Sequence, residues 1–326
     1  MIRWAGGLVA VGVLRGGCDG SSVSPPVIEG EGTVGGVVYL DFDGSEALNG
    51  SDEPMEGIGV RVTLPGSGQV LAADTSDAAG EFLMEEIAAG TIEVGVDPGI
   101  LGDTLLAVPL DSTRFTLRSG SVLAIALGVT YPQLSLPEVR EAETGIPVFT
   151  QGVALNSRGQ APSGAVHVEG EGVALRILVP PSVQVAPGDS LRIQGRVTTD
   201  LGQPALQAGR VVRVVPLSRD LIPRSPSMGD AAAGADGLDA ALVEFTSGTV
   251  VTVTTVAEGY HMTITDGQDT LLVRLRTEQG FFQGGILPGS SVRRLRGLML
   301  PDPATGTWAL VPRTTADVLL GLPAVP

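Results

Sequence analysis

Two well-separated stretches of the chain read almost alike: PGDSLRIQG (Pro187 to Gly195) and PGSSVRRLRG (Pro288 to Gly297). In each, a proline with fixed φ and a permissive glycine set a turn before a short β run. Along that run the side chains alternate, so Leu191 and Ile193 face one way and Arg192 and Gln194 the other. Gly195 then falls inside the strand, where glycine marks a bend or bulge. The surroundings repeat as well. Residues 145–217 and 244–320 each read strand, strand, strand, Pro-Gly turn, strand, glycine, loop and final strand. Arg176 aligns with Arg274, Gly195 with Gly297, and Leu206 with Leu310. A unit of five short strands with a sharp bend closes most readily into a small barrel, so the repetition predicts two similar barrels in tandem.

The rest of the chain carries the same β signature. Hydrophobic residues make up 43%, and short Val, Ile, Leu and Thr runs are cut by 46 glycines and 23 prolines. No long helical period appears beyond the first residues. The predicted fold class is all-β. The formal net charge is −16, and all 20 basic residues are arginine. From Cys18 to Thr144 there are 4 arginines against 21 acidic residues, so the acidity belongs to the first third and the barrels are nearly neutral.

The N-terminus reads MIRWAGGLVAVGVLRGGCDGSS, with Arg3, an apolar run from Trp4 to Leu14, small residues and then the single cysteine. That is the layout of an export signal, and its apolar run is too short to span a bilayer. The GGC ending resembles a bacterial lipobox, with Arg15 where an apolar residue is usual. The resemblance implies lipidation of Cys18, a signal over residues 1–18, a tether over 19–32, and a cell-envelope location with a lipid anchor in the membrane. A lone cysteine excludes an intramolecular disulfide.

Residues 33–128 give strand, turn, strand at short intervals. Three elements stand out: Gly59-Val60-Arg61-Val62-Thr63-Leu64, then Thr75 to Phe82 (TSDAAGEF), then Gly90-Thr91-Ile92-Glu93-Val94. Together they resemble the CNA-B, SdrD-B-like and carboxypeptidase-regulatory-like β-sandwiches, a resemblance that implies an N-terminal prealbumin- or immunoglobulin-like sandwich ahead of the two tandem barrels, which are OB-fold-like by the resemblance given next. Before them runs an acidic loop, DFDGSEALNGSDEPMEG, rich in oxygen ligands. In SdrD-B-like domains the matching loop can hold calcium. The resemblance therefore offers Asp41, Asp43, Asn49, Asp52 and Glu53 as calcium ligands, the oxygen set that this ion takes. Here extra residues separate the D-x-D start from the N-G, and a solvated acidic loop is the other reading.

The repeated units resemble the OB-fold domains that accompany secreted bacterial nucleases. Gly188-Asp189-Ser190-Leu191 and Leu310-Val311-Pro312-Arg313 carry the likeness. It implies a first barrel over 136–220, introduced by a short helix at LPEVREAETG, and a second over 239–322. The Pro-, Ala- and Gly-rich segment 221–238 reads as linker.

No nucleophile elbow, metalloprotease helix or phosphate loop is present. The two histidines, His167 and His261, lie on apparent strands without carboxylate or cysteine partners beside them, and read as structural. No enzyme is expected. The function expected instead is a non-catalytic binding or structural scaffold for a protein, peptide or glycan partner. The alternative is a nucleic-acid-binding accessory, since OB folds bind single strands through basic grooves with stacking aromatics. Its candidate residues are Arg274, Arg276, Arg293, Arg294 and Arg296 in the second barrel and Arg192, Arg196, Arg210 and Arg213 in the first. Phe149, Tyr260 and Phe282 are among the few aromatics, and against near-neutral charge this is a thin electrostatic footprint.

Overall fold

The structure, a computed structural model, describes residues 30–101, 104–215, 220–234, 237–302 and 305–323. The expected export signal over residues 1–18, with Cys18, and residues 19–29 of the expected 19–32 tether lie outside the described residues.

The first module is a two-layer sandwich. Its strands in chain order are β1 (Glu31–Leu40), β2 (Glu53–Pro54), β3 (Gly59–Thr63), β4 (Val70–Thr75) and β5 (Glu81–Ala88). There follow β6 (Gly90–Val96), a single helical turn α1 (Pro98–Leu101), β7 (Leu106–Ala107), β8 (Arg114–Leu117) and β9 (Val122–Thr130). One sheet centres on β1, which pairs antiparallel with β2 and β5 on one side and parallel with β9 on the other. The second runs β4-β3-β6-β8. The period-2 pattern fills the gap between them: Val60, Val62, Ile92 and Val94 meet Val34, Val38, Phe82, Met84 and Leu127. The three motif elements read from the sequence become β3, the turn into β5, and β6.

The first barrel opens with α2 (Leu136–Glu141). Ser135 and Glu138 form a reciprocal cap on it, and Leu136 and Val139 plug the barrel core. Ser135→Ala should cost about 1 kcal/mol of stability, read as a lower urea midpoint at unchanged slope. Next come β10 (Pro147–Ala154), β11 (Val166–Gly170), β12 (Val173–Leu178), β13 (Ser190–Asp200) and β14 (Gln203–Val215). They close in the order β10-β11-β12-β14-β13, with β12 and β14 parallel. This is the five-stranded barrel expected of an OB-type unit. Leu191 and Ile193 point into its core as the alternation requires.

The second barrel has α3 (Met228–Ala233), β15 (Leu242–Phe245), β16 (Thr249–Val256), β17 (Gly259–Thr265), β18 (Thr270–Arg276), β19 (Ser290–Pro301), β20 (Trp308–Val311) and β21 (Val318–Pro323). Pairings β19-β16-β17-β18-β20 and back to β19 trace the same ring, again with a parallel pair, β18 with β20. Here two strands are broken. β15 and β16 together play the part of β10, and β20 and β21 that of β14. The segment 221–238 is more than the linker expected from its composition. Ser227 caps α3, which buries Met228 and Ala231 in the second core just as α2 buries Leu136 and Val139 in the first. Short, alanine-rich and lacking a hydrophobic period, that helix gives little signal of its own. Its packing against the barrel decides it.

The glycines that announced the repeat are required by close approach. A Cβ on Gly195 would lie 2.6 Å from the Gln207 carbonyl oxygen, and one on Gly297 2.7 Å from that of Val311. The β13–β14 register shifts beside Gly195, so the bend is a bulge.

Candidate functional site

The acidic loop folds back on itself. Asp41 is buried and accepts hydrogen bonds from the Gly44 N–H at 2.8 Å and the Glu46 N–H at 3.2 Å. Asp52 accepts from the Phe42 and Asn49 N–H groups at 3.0 and 2.8 Å. Asp43 accepts from the Ser51 hydroxyl at 2.7 Å and the Ser45 N–H at 3.0 Å, and the Ser51 and Ser45 bonds hold its carboxyl down to about 2. Of the five residues offered as calcium ligands, Asp41, Asp43 and Asp52 bring oxygens within 4.8 Å of one another. The Asn49 amide reaches Asp43 at 3.2 Å. Glu53 is drawn elsewhere, pairing with Arg210 of the first barrel at 3.1 Å. The three carboxylates have the oxygen chemistry of a hard-cation site, but the loop's own N–H groups already occupy much of their accepting capacity.

What the loop does visibly is join two domains. Phe42, between Asp41 and Asp43, is buried with Leu40 against Phe149 of β10, flanked by Met55, Tyr131 and Val212. The Phe42 and Phe149 rings meet edge to face at 5.3 Å. The Arg210 guanidinium lies 4.2 Å over Phe42 and that of Arg192 5.0 Å over Phe149. Phe149, Arg192 and Arg210, candidates for a nucleic-acid groove by sequence, are thus engaged at the sandwich–barrel joint. The signal that could have revealed this is Phe42 itself, since an apolar ring in an acidic loop serves neither a cation nor a solvated surface.

The two barrels are fused more deeply. Leu155, Ala161 and Ala174 of the first share one core cluster with Leu238, Ala240, Ala241 and the interior of the second. Arg140 reaches Asp239 at 2.9 Å, Arg224 reaches Glu169 at 2.7 Å, and the Arg313 Nη1 donates to the Leu155 carbonyl at 2.7 Å. At this interface His167 and Arg176 pair across β11 and β12, both buried. Burial first, and Arg176 second, push the His167 imidazole down to about 3. It is therefore neutral, with Nδ1 3.0 Å from the Asn156 Oδ1. His261 and Arg274 pair in the same way on β17 and β18, but on a more exposed face. There Tyr260, His261, Arg274 and Arg276 line a hollow of about 370 Å³ with Glu258 and Asp302.

The five arginines proposed for the second barrel do not make one groove. Arg274 and Arg276 sit on β18, while Arg293, Arg294 and Arg296 sit on β19, with β20 between. Three have carboxylate partners: Arg274 with Glu258 at 3.3 Å, Arg296 with Glu244 at 2.7 Å, and Arg276 with Glu278. Arg294 donates to the Ala316 carbonyl at 2.8 Å, and Arg293 is exposed.

The chain matches no protein-family profile and no curated protein sequence. Among solved structures it is similar to the shaft pilin SpaA from Lactobacillus rhamnosus GG, at 10% identity over 55% of this chain and 92% of that one, with TM-score 0.25. It is also similar to GBS52, the minor pilin of Streptococcus agalactiae, at 7% identity over 31% of this chain and 45% of that one, TM-score 0.23. The Ifi202 HINa domain, solved with 20 bp dsDNA, is a third, at 12% identity over 51% of this chain and 91% of that one, TM-score 0.27.

Proposed function

We propose that this chain is a non-catalytic cell-envelope lipoprotein, anchored through Cys18, in which an acidic sandwich of the SdrD-B or CNA-B kind and two OB-type barrels form one stiff binding or structural scaffold. The observation that carries this reading is the way the domains are joined. A buried aromatic and arginine joint ties the sandwich to the first barrel, and a shared core ties that barrel to the second. Such contacts resist relative motion and suit a spacer or a presenting surface for a protein, peptide or glycan. They also take up Arg192 and Arg210, which a nucleic-acid groove would need, and the candidate arginines of the second barrel are split between two strands.

Two measurements test this. In an exporting bacterial host, the chain should partition with membranes and the Cys18→Ser variant should not. Equal partitioning of the two would end the anchor reading. Single-stranded DNA should not bind at micromolar protein, even at low salt. Binding that weakens steeply with salt and disappears in Arg293→Ala/Arg294→Ala/Arg296→Ala would replace the scaffold with a nucleic-acid accessory.

A further inference from the structure

Part of the socket that the first barrel offers to the sandwich recurs on the second barrel, where it is open, although Glu244 takes the strand position that Phe149 holds in the first. With Gly195 matched to Gly297, Arg192 corresponds to Arg294. Val212, which pairs with Arg192, corresponds to Leu319, which pairs with Arg294. In the first barrel this corner, with Arg210 beside it, receives Phe42 and the carboxylate of Glu53. In the second, Leu319 is 49% exposed and is joined by Phe282 at 68%, while Leu322, farther along β21, is 89% exposed. Phe282, Leu319 and Leu320 line one shallow hollow of about 300 Å³. Arg293 packs beside Gly321, and Arg294 reaches Ala316, so two exposed cations flank the apolar corner. β21 pairs with β19 alone among the described residues, and its six residues, VLLGLP, carry no charge. An uncharged strand with one open edge is the kind of surface that proteins otherwise take care to protect.

The sandwich carries a complementary feature away from its joint. Leu83 on β5 is 57% exposed and shares a hollow with Asp74, Asp77 and Glu81, while Glu85 follows on the same strand. This repeats the chemistry of the side already docked, where an apolar residue is ringed by carboxylates and meets an apolar corner carrying two arginines.

We propose that the Phe282–Leu319 corner of the second barrel docks the Leu83 face of the sandwich of a second copy of this chain. Apolar contact supplies the centre of the interface, and Arg293 and Arg294 against Asp74, Asp77, Glu81 and Glu85 supply its charge complementarity. The inference goes beyond the scaffold reading and depends on neither export nor lipidation, so its test stands apart from those above.

Sedimentation velocity of the full chain should show association that grows over roughly 5 to 500 µM, the range suited to a small exposed patch, and that weakens with salt. Leu319→Glu should weaken it by about tenfold or more. The decisive pair is a charge exchange at exposed positions. Arg293→Glu/Arg294→Glu gives a chain acidic on both surfaces, and Glu81→Arg/Glu85→Arg gives one basic on both. Each alone should sediment as a monomer, while their equimolar mixture should associate again. Circular dichroism on each variant checks that the fold is kept. A wild-type chain that stays monomeric throughout, association indifferent to Leu319→Glu, or a mixture that fails to restore association would each overturn the proposal.

Discussion

Phe42→Ala should cost about 3 kcal/mol, near the low end for emptying a buried phenylalanine site, and should uncouple the sandwich from the first barrel. The ring is 1% exposed although it belongs to a surface loop, and it touches Leu40, Phe149 and the Arg210 guanidinium at once. Truncation leaves a cavity at the joint and removes the face over which Arg210 lies, so the loss is one of domain coupling more than of either core. Calorimetry should show one cooperative transition in the wild type and an early-melting shoulder in the variant. Protease should cut faster between residues 130 and 135 in the variant. Arg210→Ala, which removes the cation but leaves the rings packed, should cost about 1 kcal/mol. If Phe42→Ala lowered a single transition as a whole, without faster cleavage, the domains would be held together elsewhere.

Much of this architecture was legible because local signals and packing agree. The Pro-Gly turn, the alternation of Leu191 and Ile193, and Gly195 each constrain the same strand, and the structure uses all three. The same holds for α2, where Ser135 and Glu138 announce a cap and Leu136 and Val139 an apolar face. α3 offers only its serine cap, with alanine and glycine where α2 has valine and proline, so its docking is decided by the barrel it closes. The breaks that split the fifth strand into β20 and β21, and the first into β15 and β16, leave little trace because each half keeps its own alternation. Charged residues were the least readable. Arg192, Arg210 and Glu53 look like solvated or ligand-facing groups along the chain, and only the meeting of two domains shows that they face each other. A cross-domain contact has no period, so the sequence carries it only as an oddity such as Phe42 among acids.

The other large effect concerns acid. His167 is fully buried at the interface between the barrels, and its pKa is held down to about 3. In the unfolded chain a histidine titrates near 6.5, so between these values the unfolded state binds a proton that the native state refuses. Stability contributed by the neutral imidazole is therefore intact at neutral pH and is lost as pH falls from about 6.5 toward 3. By pH 4.5 the loss should reach about 3 kcal/mol. The proton would place a second cation beside Arg176, whose guanidinium is itself buried and bonds to the Asp200 carbonyl at 2.7 Å. Like charges in a closed, low-dielectric interface leave separation of the barrels as the ready escape. His167→Asn keeps a donor close to the place of Nδ1 and can bond the Asn156 oxygen, but it cannot take up the proton. It should be less stable than wild type at pH 7, because the smaller side chain leaves space, yet fall more slowly as the solution is acidified. Urea midpoints measured from pH 7.5 to 4.5 should therefore converge. Parallel curves for the two proteins would mean that the acid sensitivity of the barrel pair resides in its carboxylates and not in this histidine.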